Sequence, residues 1–387
     1  MRRTVKDLLV DIKNTTELIV DLAYSALLFD MEDIAEEVLD LEEKILDLLQ
    51  ELRFLAIVST RNKDVAKLLS PILQIGSASQ RIGNAAGDVA TLVLRGFKLQ
   101  RDMVKAIMNK LEETIVKAVV SEEGDVANKT LGDVKLHTRT GMRVIAIKRG
   151  FDWIFNPNRD TKVLVGDVLF ARGDVSGIPK FFKMVTGKDV RVEEEDVEIE
   201  VEDLDKAVDI LADMKNLSEL AVDLSYSSIL YYNEDIAQEV AYLEERIDNM
   251  KFELQYWVLK SSKHFSEMKP LIALLELAHS SEQIADSARE IAEIVLEKME
   301  VHPILLHAMK ETDEIITMVE VKEGSKLHGK TLGEARVETN TGMHIIAIKR
   351  GNKWVTKPSA GTKIFAGDVL IAKGTRESEQ LLKKLCS

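Results

Sequence analysis

The segment LGDVKLHTRTGMRVIAIKRG, from Leu131 to Gly150, returns as LGEARVETNTGMHIIAIKRG from Leu332 to Gly351, with twelve of the twenty positions identical. The repetition continues upstream. DLAYSALLFDMEDIAEEVLDLEEKI from Asp21 is matched by DLSYSSILYYNEDIAQEVAYLEERI from Asp223, and SQRIGNAAGDVATLVL from Ser79 by SEQIADSAREIAEIVL from Ser281. A chain whose first half has been copied must build one architecture twice, which constrains the fold more than any local propensity. Its 387 residues exceed one ordinary core, so two to four domains are expected.

Each half opens with a long stretch of helical period. Ile34, Val38, Leu41, Ile45, Leu48 and Leu52 alternate in steps of four and three, a stripe down one side of a helix and the seam of a bundle. Asp30 and Asn233 precede this helix in the two copies and read as N-caps, and Ser70 before Pro71 reads as a cap followed by a first-turn proline. A third helix carries Ile75, Ala78, Ile82, Ala85, Val89 and Leu92, interleaved with Gly76, Gly83 and Gly87, small residues that permit close helix approach. The period then changes. VIAIKRG is a short run of β-formers ended by a turn glycine, and WIFNP with KVLVGDVLFARG supplies two more strands around the Gly166-Asp167 turn. IIAIKRG, KWVTKP and TKIFAGDVLIAKG repeat the pattern, and a short helix closes each unit, around Pro179 to Val185 and Glu377 to Leu385. These readings place a helical bundle over 1–110, a β-rich domain over 111–187, an acidic linker over 188–203, a second bundle over 204–313 and a second β-rich domain over 314–387. The fold class expected is α+β and multidomain.

Composition narrows the partners. The chain is 45% hydrophobic, 30% charged and only 5% aromatic, so aliphatic side chains must fill well-packed cores. A formal net charge of -14, with acids concentrated in VEEEDVEIEVEDLD from Val192, repels phosphate backbones and argues against nucleic acid. Cys386 alone can build neither a disulfide framework nor a thiolate metal site, which points to a reducing, cytoplasmic setting. The start of the chain breaks its apolar residues with charges, unlike a signal peptide, and no segment approaches the roughly 20 apolar residues of a membrane span, so a peripheral membrane role would run through a partner. The abundance of Lys and Glu is compatible with a thermophile.

The helical parts resemble the PhoU family, whose third helix carries E-R-I-G-D-H-A-x-N-I-A-E; here the chain reads QRIGNAAGDVAT from Gln80 and EQIADSAREIAE from Glu282. The β-rich parts resemble the TrkA C-terminal domain, also called the RCK C-terminal domain, on VKEGSKLHGKTLGEARVETNTGMHIIAIKRG followed by IFAGDVLIAKG. The resemblance implies two PhoU-like antiparallel bundles alternating with two small α/β ligand-sensing domains, a combination familiar from archaeal proteins related to potassium channels. It implies a regulatory protein and not an enzyme. Consistent with that, the sequence has no G-x-S-x-G, H-E-x-x-H or reactive cysteine context. The Rossmann G-x-G-x-x-G of complete RCK proteins is absent too, so NAD is not expected.

Two sets of candidate site residues follow from the resemblance. Family members hold small molecules in a dimer cleft beside the central glycine and the strand after it; the matching positions are His137, Arg139 and Arg143 in the first copy and Glu338, Asn340 and His344 in the second. Cyclic di-AMP or another nucleotide would need donors facing its phosphates, which the first copy offers and Glu338 opposes. An arginine at a strand edge is equally what a solvated charge looks like. PhoU relatives bind metal through E-x-x-x-D pairs, since carboxylates one helical turn apart can ligate one hard cation. Glu282 and Asp286 keep such a pair, extended by His279, Glu290 and Glu293, whereas the first copy has Gln80, Asn84, Asp88 and Thr91. The family's partner carboxylate on the second helix is replaced by Leu39 and Ala241, and an acidic stripe is also the pattern of a solvated helix face. Lys148-Arg149-Gly150 and Lys349-Arg350-Gly351 read as turns with exposed cations that blunt a sheet edge, and Trp153 and Trp354 as core.

The expectation is a regulator of a cation channel or transporter, potassium above all, working as a pseudo-twofold monomer or a homodimer and responding to a small-molecule or ion effector. A PhoU-type divalent-metal regulator of magnesium or phosphate transport and a ligand-independent adaptor are the alternatives.

Overall fold

The computed structural model describes residues 3–111, 113–150, 152–190, 199–312, 314–356 and 358–387. The first copy comprises helices α1 (Val5–Phe29), α2 (Glu32–Ser59), α3 (Lys63–Leu94) and α4 (Arg101–Lys110), then strand β1 (Thr114–Val119), short helices α5 (Leu131–Val134) and α6 (Leu136–Thr140), strands β2 (Arg143–Arg149), β3 (Asp152–Phe155) and β4 (Val168–Gly173), and helix α7 (Ile178–Thr186). The second repeats that order as α8 (Glu202–Tyr231), α9 (Glu234–Ser261), α10 (Lys269–Leu296), α11 (Pro303–Glu311), β5 (Ile315–Glu320), α12 (Leu332–Ala335), α13 (Val337–Thr341), β6 (Met343–Arg350), β7 (Lys353–Val355), β8 (Val369–Gly374) and α14 (Arg376–Cys386). Much of the acidic run, residues 191–198, lies outside the described residues. No described helix is long and apolar enough to cross a membrane.

The elements gather by kind and not by copy. Met1–Glu112 with Glu194–Thr312 forms one compact unit, and Glu113–Glu193 with Asp313–Ser387 the other. In the helical unit the α2 stripe is fully turned inward: Ile34, Val38, Leu41, Ile45, Leu48 and Leu52 are all buried. The small residues of α3 do allow close approach, since a Cβ on Gly76 would lie 2.6 Å from Leu49 Cδ1. The two bundles trade equivalent contacts. Tyr24 on α1 shares a 2.8 Å hydrogen bond with Ser281 on α10, and Tyr226 on α8 shares one of 3.3 Å with Ser79 on α3. Lys215 stands over the Tyr24 ring and Lys13 over the Tyr226 ring. The connecting helices are also exchanged, α4 packing on α8 and α11 on α1.

Each sheet of the other unit is antiparallel, with orders β1-β4-β2-β3 and β5-β8-β6-β7. The first buries Val144, Ile147, Leu169 and Ala171 against Val134, Leu136 and Phe181 of its helices. A register shift between Val144 and Ala146, and another between Ile345 and Ala347, breaks the two-residue alternation beside Arg143 and His344. Gly374 ends β8 where a Cβ would meet the Gly342 carbonyl oxygen at 2.8 Å, so the closing glycine of the strand signature is a close-approach position.

Several local expectations are corrected. Asp30 does not cap α2; it ends α1 in the left-handed conformation (φ 51°) that turns the chain, and Met31 precedes α2 without a side-chain cap. Asn233 does cap α9, accepting from the Ile236 amide at 3.1 Å. Pro71 lies inside α3, not in its first turn, because Asn62 caps a helix that begins at Lys63. WIFNP and KVLVGDVLFARG do supply two strands, β3 and β4, but the Gly166-Asp167 turn precedes β4 without a strand before it, Lys162 making only an isolated bridge to Thr130. Arg149 is no mere exposed cation: its guanidinium grips buried Asp167 through two hydrogen bonds of 2.9 and 2.8 Å, and Arg350 grips Asp368 at 2.8 Å twice. The R-G and G-D signatures are therefore the two halves of one clamp. Trp153 is half-buried at the sheet rim, stacked on Phe155, and Trp354 is also only half-buried.

Candidate functional site

The β-rich unit holds a charged cleft, lined by Glu113, His137, Arg143 and Arg172 from the first copy and by Glu314, Glu338, His344 and Lys373 from the second, with Gly141, Gly342 and Gly374 beside them. The two copies contribute matching positions: Glu113 corresponds to Glu314, His137 to Glu338, Arg143 to His344 and Arg172 to Lys373. Strand β2 starts at Arg143 immediately after the Gly141 turn, and β4 and β8 place Arg172 and Lys373 just before their closing glycines.

Three cations converge on one carboxylate. Glu314 accepts from Arg143 at 2.7 Å and from Arg172 at 3.0 Å, with the Lys373 ammonium at 3.4 Å, while Arg172 Nε reaches Glu113 at 3.2 Å. Arg172, Lys373 and Glu314 are about one-tenth exposed or less. Burial by itself would raise the carboxyl of Glu113, but Arg172, His344 and Lys373 hold it down at about 2. Burial likewise opposes ionisation of Glu314, and Arg143, Lys373 and Arg172 outweigh it to keep the group well below the usual carboxylate range. Burial pushes the His137 imidazole down, towards its neutral form. Glu338 sits 3.4 Å from His344 Nδ1. Among the described residues three carboxylates thus face three permanent cations, so the cleft is not a bare cationic pocket.

Of the sequence-derived ligand residues, the cleft gathers His137, Arg143 and His344. Arg139 is exposed and turns to Asp125 at 3.6 Å, and Asn340 is exposed and donates to the Ala335 carbonyl. The residues missed are Glu113, Glu314, Arg172 and Lys373. The signal for Arg172 and Lys373 is a charge at the same place in both copies of an otherwise apolar strand, FARG and IAKG.

The acidic stripe on α10 splits up. Glu282 and Asp286 meet Asp248 of α9, with one oxygen of each within 4.8 Å of the others, an arrangement suited to a hard cation. His279 lies 3.3 Å from Glu282, but Glu290 pairs with Arg81 of α3 and Glu293 with Arg289. The physical reason is length: residues 279 to 293 span about 20 Å of helix, too far to converge on one ion. Lys251 is hydrogen-bonded to Glu282. Partial burial, then Glu282, Glu244 and Asp248, raise the Asp286 carboxyl to about 6. Asp248 belongs to an E-x-x-x-D pair with Glu244, a signal seven residues beyond Ala241, where a partner carboxylate was sought; Glu244 itself is taken by Arg289 at 2.8 Å.

Residues 115–186 and 316–387 each match the TrkA-C domain, and residues 211–295 match the PhoU domain. The chain therefore carries two TrkA-C domains and one PhoU domain, both regulatory modules. Among curated proteins it is similar to Potassium channel protein 1 of Methanocaldococcus jannaschii, 31% identical over 80 residues, which are 20% of this chain and 24% of that one. It is also similar to Phosphate-specific transport system accessory protein PhoU homolog 2 of Thermotoga maritima, 38% identical over 84 residues, 21% of this chain and 36% of that one. The matches thus span about a quarter and about a third of these relatives. Among solved structures, the RCK_C domain dimer of S. agalactiae BusR in complex with c-di-AMP is 28% identical, covering 18% of this chain and 88% of that one, with a TM-score of 0.18.

Proposed function

We propose that the chain is a regulatory subunit of a cation channel or transporter, with potassium as the transported ion, and that it responds to a small anionic ligand in the cleft of the β-rich unit. The observation that carries this reading is that both TrkA-C domains of a single chain contribute to one cleft, with His137, Arg143 and His344 at the positions the sequence singled out. A ligand there controls a partner only if it binds one arrangement of the two domains better than another. Similarity of part of the chain to a potassium channel protein supports the choice of ion. The test is rubidium uptake by native-host cells lacking the chain. Uptake should change on deletion, return with the wild-type chain, and respond differently with Arg143→Gln; uptake indifferent to deletion would overturn the reading.

The Asp248–Glu282–Asp286 cluster favours a second input, a divalent cation. Magnesium or manganese should raise the melting temperature of the metal-stripped wild-type chain and leave Asp248→Asn and Asp286→Asn unmoved. The metal-free protein carries a pH signature as well. Because the Asp286 carboxyl is raised to about 6 from an ordinary value of 3.8, its contribution to stability is fully present below pH 3.8 and is lost as pH rises through about 6. Asp286→Asn should remove that loss, visible as a flatter melting profile between pH 4 and pH 7.

A further inference from the structure

The cage around Glu314 is more than a structural ion pair. A carboxylate held at once by Arg143, Arg172 and Lys373 occupies the position that an anionic group of a ligand would take, with two forked guanidinium donors and one ammonium already directed at it. The open space left in the cleft is about 20 Å³, room for one or two waters and not for a phosphate group. Nothing the size of a phosphate can enter unless a side chain leaves, and withdrawing Glu314 takes away the carboxylate that Arg143, Arg172 and Lys373 share. The resident group whose charge a phosphate replaces is the Glu314 carboxylate.

We infer that Arg143, Arg172 and Lys373 form a site for one phosphate group of a phosphate-bearing ligand, and that Glu314 is its tethered competitor, filling the cage until that group displaces it. The inference rests on the reading of the cleft as a ligand site. The two halves of the cleft are not equivalent: Glu113, matching Glu314, meets Arg172 Nε at 3.2 Å, and the position matching Arg143 is His344.

The competitor is tested by calorimetric titration of the full chain with inorganic pyrophosphate and, separately, cyclic di-AMP. Glu314→Gln keeps the side chain's shape, removes its charge and should tighten binding of both probes on the order of tenfold or more, the effect of deleting a charge-assisted hydrogen-bonded competitor. Glu113→Gln and Glu338→Gln remove the same charge from the same cleft and should tighten binding far less, which separates a cage from a general gain in positive potential. If Glu314→Gln fails to fold, judged by circular dichroism, Glu314→Asp retracts the carboxylate by one methylene and should give an intermediate gain. Arg143-dependent binding by the wild type with no gain in either Glu314 variant overturns the competitor and leaves the cleft reading standing. Absence of binding in the wild type and in all variants overturns both.

Discussion

Arg172→Leu is expected to destabilise the β-rich unit by about 3–5 kcal/mol, the cost of breaking a buried ion pair while its partners stay charged. Arg172 bridges the junction carboxylates of the two copies, Glu113 at 3.2 Å and Glu314 at 3.0 Å, and its side chain is 8% exposed. Removing it leaves Glu113 without its closest cation and Glu314 with Arg143 and Lys373. The drop is read from denaturant or thermal unfolding of the full chain. Adding Glu113→Gln should recover part of the loss, because the orphaned charge goes with it. A cost below about 1 kcal/mol, the level of an exposed pair, would mean that water screens the cluster.

Acid should unlock the same cluster. The Glu113 carboxyl falls from an ordinary 4.5 to about 2 in the folded chain, so its contribution is fully present above pH 4.5 and is lost as pH falls from there through about 2. For a side chain 20% exposed, that depression corresponds to at most about 3 kcal/mol. Glu314, depressed in the same direction by Arg143, Lys373 and Arg172, adds to the loss as pH falls below 4.5. Stability measured by denaturant titration from pH 6 to pH 3 should decline steeply in the wild type and less in Glu113→Gln. Equal slopes in the two proteins would assign the acid sensitivity elsewhere.

What the sequence disclosed follows from what repeats in it. Two copies of one helical period and one strand signature reveal bundles and β domains, because burial enforces periods of 3.6 and 2 wherever a face is turned inward. The α2 stripe and the closing helices α7 and α14 were legible for that reason. Pro71 misled because a buried helix with its own cap at Asn62 tolerates one missing hydrogen bond. The site was legible only around the central glycines, at His137, Arg143 and His344. Arg172 and Lys373 were hidden in strands read for their apolar residues, and Glu113 and Glu314 in segments read as boundaries. Their meaning comes from partners 142 residues away, as in the Arg172–Glu314 pair, a separation that no local pattern encodes. On α10 the periodicity was real, but it described one helix face and not one site; Asp248 on α9 completes a cluster that Glu290 and Glu293 do not join.

The central claim is that the cleft of the β-rich unit is a ligand site, and thermal shift of the intact, metal-stripped chain against cyclic di-AMP, ATP and ADP tests it most directly. At a hundred times its dissociation constant a ligand held by the folded state adds about 2.7 kcal/mol. The account predicts that at least one of these nucleotides raises the melting temperature of the wild type and that Arg143→Gln abolishes the rise. No rise with any of them, or a rise that persists undiminished in Arg143→Gln, would contradict it.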